Sequence, residues 1–220
     1  MRRLIDLSHT IHDGLVTFKG LPGPVICDYL SREASRKNYT EGTEFQIGRI
    51  DMVSNTGTYI DCPFHRFRNG RDLSETELER FVDLPAVVVR VPHRERIEVT
   101  TRDFIRVDLK GKAVLVDTGW SEHWNTPAYF DNHPFLTADA ATFLRNAGAL
   151  LVGIDSHNID DTRTRNSRPV HTTLLDAEVL IVEHLRGLEQ LPLEGFTFTA
   201  VPPKLKGVGT FPVRAFATID

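Results

Sequence analysis

Four apolar runs in this chain end on a carboxylate: Thr58-Tyr59-Ile60 on Asp61, Val114-Leu115-Val116 on Asp117, Leu151-Val152-Gly153-Ile154 on Asp155, and Leu180-Ile181-Val182 on Glu183. If the runs are strands of a parallel sheet, their carboxyl ends open on a shared crevice where ligands bind. Each acid taken alone can equally cap the turn after its strand. Histidines accompany them: His65 follows Asp61, His157 follows Asp155, and His171 opens the stretch that leads to Glu183. Imidazole with carboxylate is a donor set suited to zinc or manganese. An ion held that way lowers the pKa of its water. A solitary histidine is also a common satisfied polar residue, so the spacing leaves metal binding and a structural role both open.

Other chemistries fit the sequence poorly. No glycine-rich turn follows a strand in the form that cradles phosphate. Gly119-Trp120-Ser121 continues into Glu122 and His123, which is not the elbow of a serine hydrolase. Lys and Arg number 26 against 30 Asp and Glu, a formal charge of -4. The basic groups Arg94 with Arg96, and Arg163, Arg165 and Arg168, are interrupted by acids or turn residues, so no nucleic-acid footprint is expected. An arginine that grips a substrate carboxylate remains compatible with this pattern. The start MRRLIDLSHT turns polar before any apolar run, and nothing approaches the ~20 apolar residues of a membrane span. With only Cys27 and Cys62, the chain is expected in a reducing cytoplasm without a disulfide framework.

These groups need a scaffold. Ala86 to Val91 and Ala113 to Val116 are nearly continuous in apolar residues, as strands buried on both faces are. Thr137 can cap a helix whose apolar face is Ala140, Ala141, Phe143, Leu144 and Ala147, with Gly148 as its stop. The strand Leu150 to Ile154 follows, giving a strand–helix–strand unit and an at least partly parallel sheet. Val179 to Val182, Phe196 to Ala200 and Val213 to Ile219 read as further strands. The first 50 residues read as short strands and long loops, with Ser31 to Asn38 an exposed loop in preference to a short helix. No linker or repeat divides the chain, so residues 1–220 are expected to form one α/β domain, long enough to bury roughly 70% of the surface it exposes unfolded.

Several segments together resemble the cyclase family of metal-dependent hydrolases, which includes bacterial kynurenine formamidase. They are Asp6-Leu7-Ser8-His9-Thr10, Asn55 through His65, Asp117-Thr118-Gly119-Trp120-Ser121, Gly153-Ile154-Asp155, His171 through Leu175, Ile181 through Leu185, and Gly207 through Ala215. The resemblance implies a swivelling β/β/α fold with a mixed sheet, a homodimer or homotetramer, and a divalent metal, zinc or manganese. The family signature His-Thr-Gly-Thr-His-x-Asp-x-Pro-x-His falls on Asn55 to His65. Asn55 and Tyr59 stand at its first two histidines, while Asp61 and His65 keep its aspartate and last histidine. By the same resemblance Asp61, His171 and Glu183 are the metal ligands and His65 the catalytic histidine. A second ion, which full-signature members hold, loses most of its donors here.

His157 stands where a small or turn-forming residue is usual in the family, and is expected to join His65 in catalysis, orienting water or stabilising an oxyanion. Tyr59, with an ordinary pKa of about 10, suits a hydrogen bond to substrate better than ligation as phenolate. Asn55, Trp120, Phe64 and Phe18 complete the expected substrate contacts, the aromatic ones walling a planar small molecule. The resemblance implies hydrolysis of a small amide, an aryl formamide such as N-formylkynurenine foremost. Hydrolysis of a cyclic amide or lactone such as isatin is one alternative, and a binding or assembly protein that has lost catalysis is another.

Overall fold

A computed structural model describes residues 1–164 and 167–219. Arg165, one of the basic residues noted above, lies outside them. The strands are β1 (Arg3–Asp6), β2 (Val25–Leu30), β3 (Ile47–Asp51), β4 (Tyr59–Asp61), β5 (Leu84–Arg90), β6 (Glu98–Val99), β7 (Ala113–Asp117), β8 (Phe135–Leu136), β9 (Leu151–Ile154), β10 (Leu180–Glu183), β11 (Phe196–Thr199), β12 (Thr210–Pro212) and β13 (Phe216–Ile219). The helices are α1 (Arg32–Ser35), α2 (Ala138–Asn146) and α3 (Pro169–Asp176).

Nine strands form one mixed sheet in the order β1-β13-β11-β5-β7-β9-β10-β4-β12. Its centre, β5 to β10, is parallel, and both flanks are antiparallel. Alternation explains why the central strands are apolar throughout. Ala86, Val88, Leu115, Leu151 and Val182 enter one buried cluster, while Val87, Val89, Val114, Val116, Val152 and Ile181 enter the other. Helices α2 and α3 pack against each other over the second cluster, which takes in Leu144, Leu174 and Leu175. The Thr137 hydroxyl caps α2 by accepting from Ala140 N. The β7–α2–β9 unit is the parallel crossover expected from the sequence.

Two local expectations are corrected. Arg32–Ser35 is helical, with the Ser31 hydroxyl accepting from Ala34 N, because the cap outweighs the polar composition. The stretch from Val213 to Ile219 is a strand only from Phe216, and a separate strand, Thr210–Pro212, precedes it at the sheet edge. His171 to Leu175 forms the middle of α3. Away from the main sheet, β2 and β3 make a two-stranded arm with Val25, Tyr29, Ile47 and Ile50 exposed. Among the described residues no helix is long and apolar enough to cross a membrane.

Candidate metal centre

Strand β4 lies antiparallel between β10 and β12, and its register assembles the site. Tyr59 is the cross-strand partner of Glu183, and Asp61 partners Ile181 on one side and Thr210 on the other. Residues 59 and 61 share a face of β4, so the phenol and both carboxylates point into the same space. Helix α3 brings His171 over them. Its Nε2 lies 3.7 Å from Asp61 Oδ2 and 3.7 Å from Glu183 Oε1. A short 3-10 turn, Pro63–His65, carries His65 to the other side of Asp61, with Nδ1 3.8 Å from Asp61 Oδ1.

Each of these side chains is held from behind. Asp160 accepts from Val170 N at 2.8 Å and His171 N at 3.0 Å, so it caps α3, and it also takes the His171 Nδ1 proton at 2.6 Å. That bond sets Nδ1 as the donor, so an ion that displaces the Nε2 proton would meet a lone pair facing Asp61 and Glu183. Glu183 is fully buried and accepts from Ile159 N at 2.6 Å, the Tyr59 hydroxyl at 2.6 Å and Asn158 Nδ2 at 3.4 Å. The Thr210 hydroxyl has a single proton and donates it to Asp61 Oδ1, so at 2.6 Å it must accept from His65 Nδ1. His65 is thereby set as the Nδ1–H tautomer with Nε2 free to take a proton.

Electrostatics favour a cation. Burial opposes ionisation of Asp61, yet His65, His171 and Thr210 hold its pKa below the ordinary value. Burial, with Asp61 adding repulsion against relief from His171, pushes Glu183 up to about 7. Burial works against a charged His171 as well, but Asp160, Asp61 and Glu183 raise it to about 10. Three carboxylates therefore crowd one imidazole. Asp61 Oδ2 is buried and has no hydrogen-bond partner among the described residues, which is costly for an anionic oxygen unless a cation meets it. Ligand atoms of Asp61, His65 and His171 all lie within 4.8 Å of one another. Mixed nitrogen and oxygen donors around an orphaned carboxylate oxygen fit a divalent ion of the zinc or manganese class.

The centre opens on a cavity of about 410 Å³, within the range of small-molecule sites. Phe18, Leu21, Asn55, Tyr59, His65, Asn158, His171 and Glu183 contribute to its wall, with Lys19, Arg66 and Arg168. Arg66 Nε donates to Thr172 Oγ1 at 3.1 Å, and Arg168 Nη1 donates to the carbonyls of Thr164 at 3.1 Å and Ser167 at 2.9 Å.

Not every expected residue is brought to the cavity. The wall is formed by Asn158, whereas His157 is 3% exposed among Phe18, Tyr129, Phe130, His133 and His184. Phe18 stacks on its ring at 4.7 Å, and burial drives its pKa down to about 3, the state of a neutral packed imidazole. Trp120 donates to the Tyr129 carbonyl and packs on His93 and His123, away from the cavity wall. Phe64 packs on the sheet core. Tyr59 spends its hydroxyl on Glu183, and burial with two carboxylates nearby raises its pKa well above the ordinary value, so it stays a neutral donor. Two strand-end acids turn aside: Asp117 pairs with Arg90, and Asp155 accepts from Thr118 N and Oγ1. Sequence reasoning passed over Asp160, Thr210, Asn158 and Arg66. Thr210 sits inside a segment that resembles the family, but its role depends on pairing across β4 and β12.

The chain is similar to known proteins over nearly its whole length. The chain is 27% identical over 217 residues to kynurenine formamidase of Geobacillus thermodenitrificans, covering 98% of this chain and 97% of the relative. A solved structure described as a potential metal-dependent hydrolase with cyclase activity superposes with a TM-score of 0.81 at 26% identity, covering 100% and 99% of the two chains. Isatin hydrolase A of Ralstonia solanacearum has the same fold, with a TM-score of 0.84 at 23% identity and coverage of 100% and 92%. The Cyclase family model matches residues 5–161, most of the chain. That match over more than half of its residues makes the chain a member of the cyclase family.

Proposed function

We propose that this chain is a metal-dependent hydrolase of a small amide, an aryl formamide of the N-formylkynurenine type, with Asp61, His171 and Glu183 as the ligands of one divalent ion and His65 as the proton carrier. The observation that carries the reading is the convergence of two buried carboxylates on one imidazole nitrogen, with Asp61 Oδ2 accepting no hydrogen bond among the described residues. Near full-length similarity to kynurenine formamidase supports the substrate class. When bound, the ion supplies a Lewis acid for the amide carbonyl and a lowered pKa for the attacking water.

The chain's own groups do the rest. His65 Nε2, freed by the Nδ1 contact to Thr210, accepts the proton of the water and returns one to the departing aryl amine as the formyl C–N bond breaks. Asp160 keeps His171 in its ligating tautomer, and Tyr59 keeps Glu183 oriented. Phe18 and Leu21, in the cavity wall, would contact an aromatic ring, and Arg66 and Arg168, in the same wall, are the proposed partners of an amino-acid carboxylate.

The test is release of formate from N-formylkynurenine by the purified full chain with zinc or manganese added. Glu183→Ala is expected to lose bound metal. His65→Ala is expected to keep it while kcat falls by about 10² to 10⁴. No formate release by metal-loaded protein would overturn the activity, and unchanged metal affinity in the Glu183 variant would overturn the ligand assignment.

A further inference from the structure

Beyond the carboxyl ends of neighbouring strands β5 and β7, a second group of metal-ligating side chains comes together: His93, Glu122 and His123. None of the three contributes to the wall of the cavity described above. We propose that they form a separate binding site for a divalent transition metal of the zinc class.

The geometry is already that of a ligand set. One carboxylate oxygen, Glu122 Oε1, lies 3.0 Å from His93 Nε2 and 3.5 Å from His123 Nε2. Two donors each about 2.0 Å from a tetrahedral zinc ion stand about 3.3 Å apart, so these separations are close to the edges of such a tetrahedron. All three donor atoms lie within 4.8 Å of one another. Two imidazoles and one carboxylate leave the fourth position to water, a donor set that zinc accepts and that copper and nickel also favour.

Local structure holds these donors in place. Gly119, at φ 73°, reverses the chain after β7 and starts the 3-10 turn Trp120–His123 that carries Glu122 and His123. His93 N donates to the Thr118 carbonyl at 2.8 Å, which fastens the segment after β5 to the one after β7. The Trp120 ring meets both imidazoles edge to face, at 5.0 Å from His93 and 4.5 Å from His123, and its Nε1 is anchored to the Tyr129 carbonyl. Arg94 donates to both oxygens of Glu122 at 3.1 Å. That guanidinium orients the carboxylate as outer partners of metal ligands do, and it is also the competitor an ion has to outweigh. The donors are partly exposed, with side-chain accessibilities of 13% for His93, 44% for Glu122 and 32% for His123, so an ion can reach them from solvent. Bound there, it would clamp two strand exits with no role in the proposed chemistry.

The experiment is equilibrium dialysis of the full chain against zinc, with metal content measured per chain in the wild type and in the H93A/H123A and E122Q variants. The difference between wild type and variant isolates this site whatever the central one holds. Wild type is expected to retain one more zinc per chain than H93A/H123A, with E122Q behaving like the double variant, and zinc is expected to raise the thermal midpoint of the wild type more than that of either variant. Equal zinc content in wild type and H93A/H123A, with both folded by circular dichroism, would reduce the cluster to an Arg94–Glu122–histidine ion pair and overturn the proposal.

Discussion

Thr210 and Asp160 do comparable work on two different histidines, each fixing which ring nitrogen carries the proton. Thr210 fixes the His65 tautomer while donating to Asp61. Replacing it with valine keeps the volume and removes the hydroxyl. Loss of an outer hydrogen-bond partner of this kind lowers activity by about 10- to 100-fold. Thr210→Val is therefore expected to lower kcat by that order, and Thr210→Ser to restore most of it; steady-state kinetics of the pair checks this, and a serine variant as slow as the valine one would contradict it. Asp160 acts on the proposed ligand His171 instead. In Asp160→Asn one of the two oxygens that accept from Val170 N, His171 N and His171 Nδ1 becomes an amide donor and the negative charge is lost, so the hold on the His171 ring weakens. Metal affinity is expected to fall by about 10- to 100-fold, as measured by competition with a chromophoric chelator. Unaltered affinity would mean that His171 does not ligate through Nε2.

At the scale of elements, β4 and its neighbours depend on a close approach that only glycine permits. A Cβ on Gly209 would stand 2.2 Å from the His65 backbone nitrogen, and Gly209 O accepts from Cys62 N at 2.9 Å. Gly209→Ala must push the Pro63–His65 turn away from β12 and break the Thr210–His65 contact. Overpacking of this kind costs about 1–3 kcal/mol, and the variant is expected to lose stability in denaturant and turnover together. A variant as active as wild type would show that the turn can shift without consequence. The elements that carry the site differ in how far the sequence reveals them. Strands β5, β7, β9 and β10 are legible because burial on two faces requires nearly unbroken apolar runs, and α2 because Thr137 and Gly148 bracket it. Helix α3 is obscured by the β-branched pair Thr172 and Thr173, and its N-terminal amides are satisfied by Asp160, nine residues before Pro169 and in a separate loop. The same limit governs the acids at strand ends. Asp61 and Glu183 meet around His171 while Asp117 and Asp155 serve Arg90 and Thr118, and nothing in four similar strand endings distinguishes them without the pairing of β4 to β10.

Over the whole molecule, the histidines outside the candidate centres set how the fold responds to acid. His9 is held at a pKa of about 3 by burial, with Arg186 adding to the effect. His157 is likewise driven down to about 3 by burial, with His133 and Lys19 reinforcing it and Asp131 opposing. Both imidazoles have a buried nitrogen without a partner among the described residues, Nε2 in His9 and Nδ1 in His157. An unfolded histidine titrates near 6.5. Between about 6.5 and about 3 the unfolded chain thus binds protons that the folded one refuses. The stability contributed by keeping these groups neutral is complete above 6.5 and is lost as pH falls through that window. Each such group adds up to about 1.4 kcal/mol per pH unit to the slope of unfolding free energy. His157→Phe preserves a ring against Phe18, Tyr129 and Phe130 and removes one proton acceptor. Its unfolding free energy, measured by denaturant titration at several values between pH 6 and pH 4, is expected to fall less steeply with acid than that of the wild type. Carboxylates contribute equally to both proteins and cancel in the comparison, so equal slopes would mean that His157 takes up its proton without unfolding and that its burial does not oppose charge.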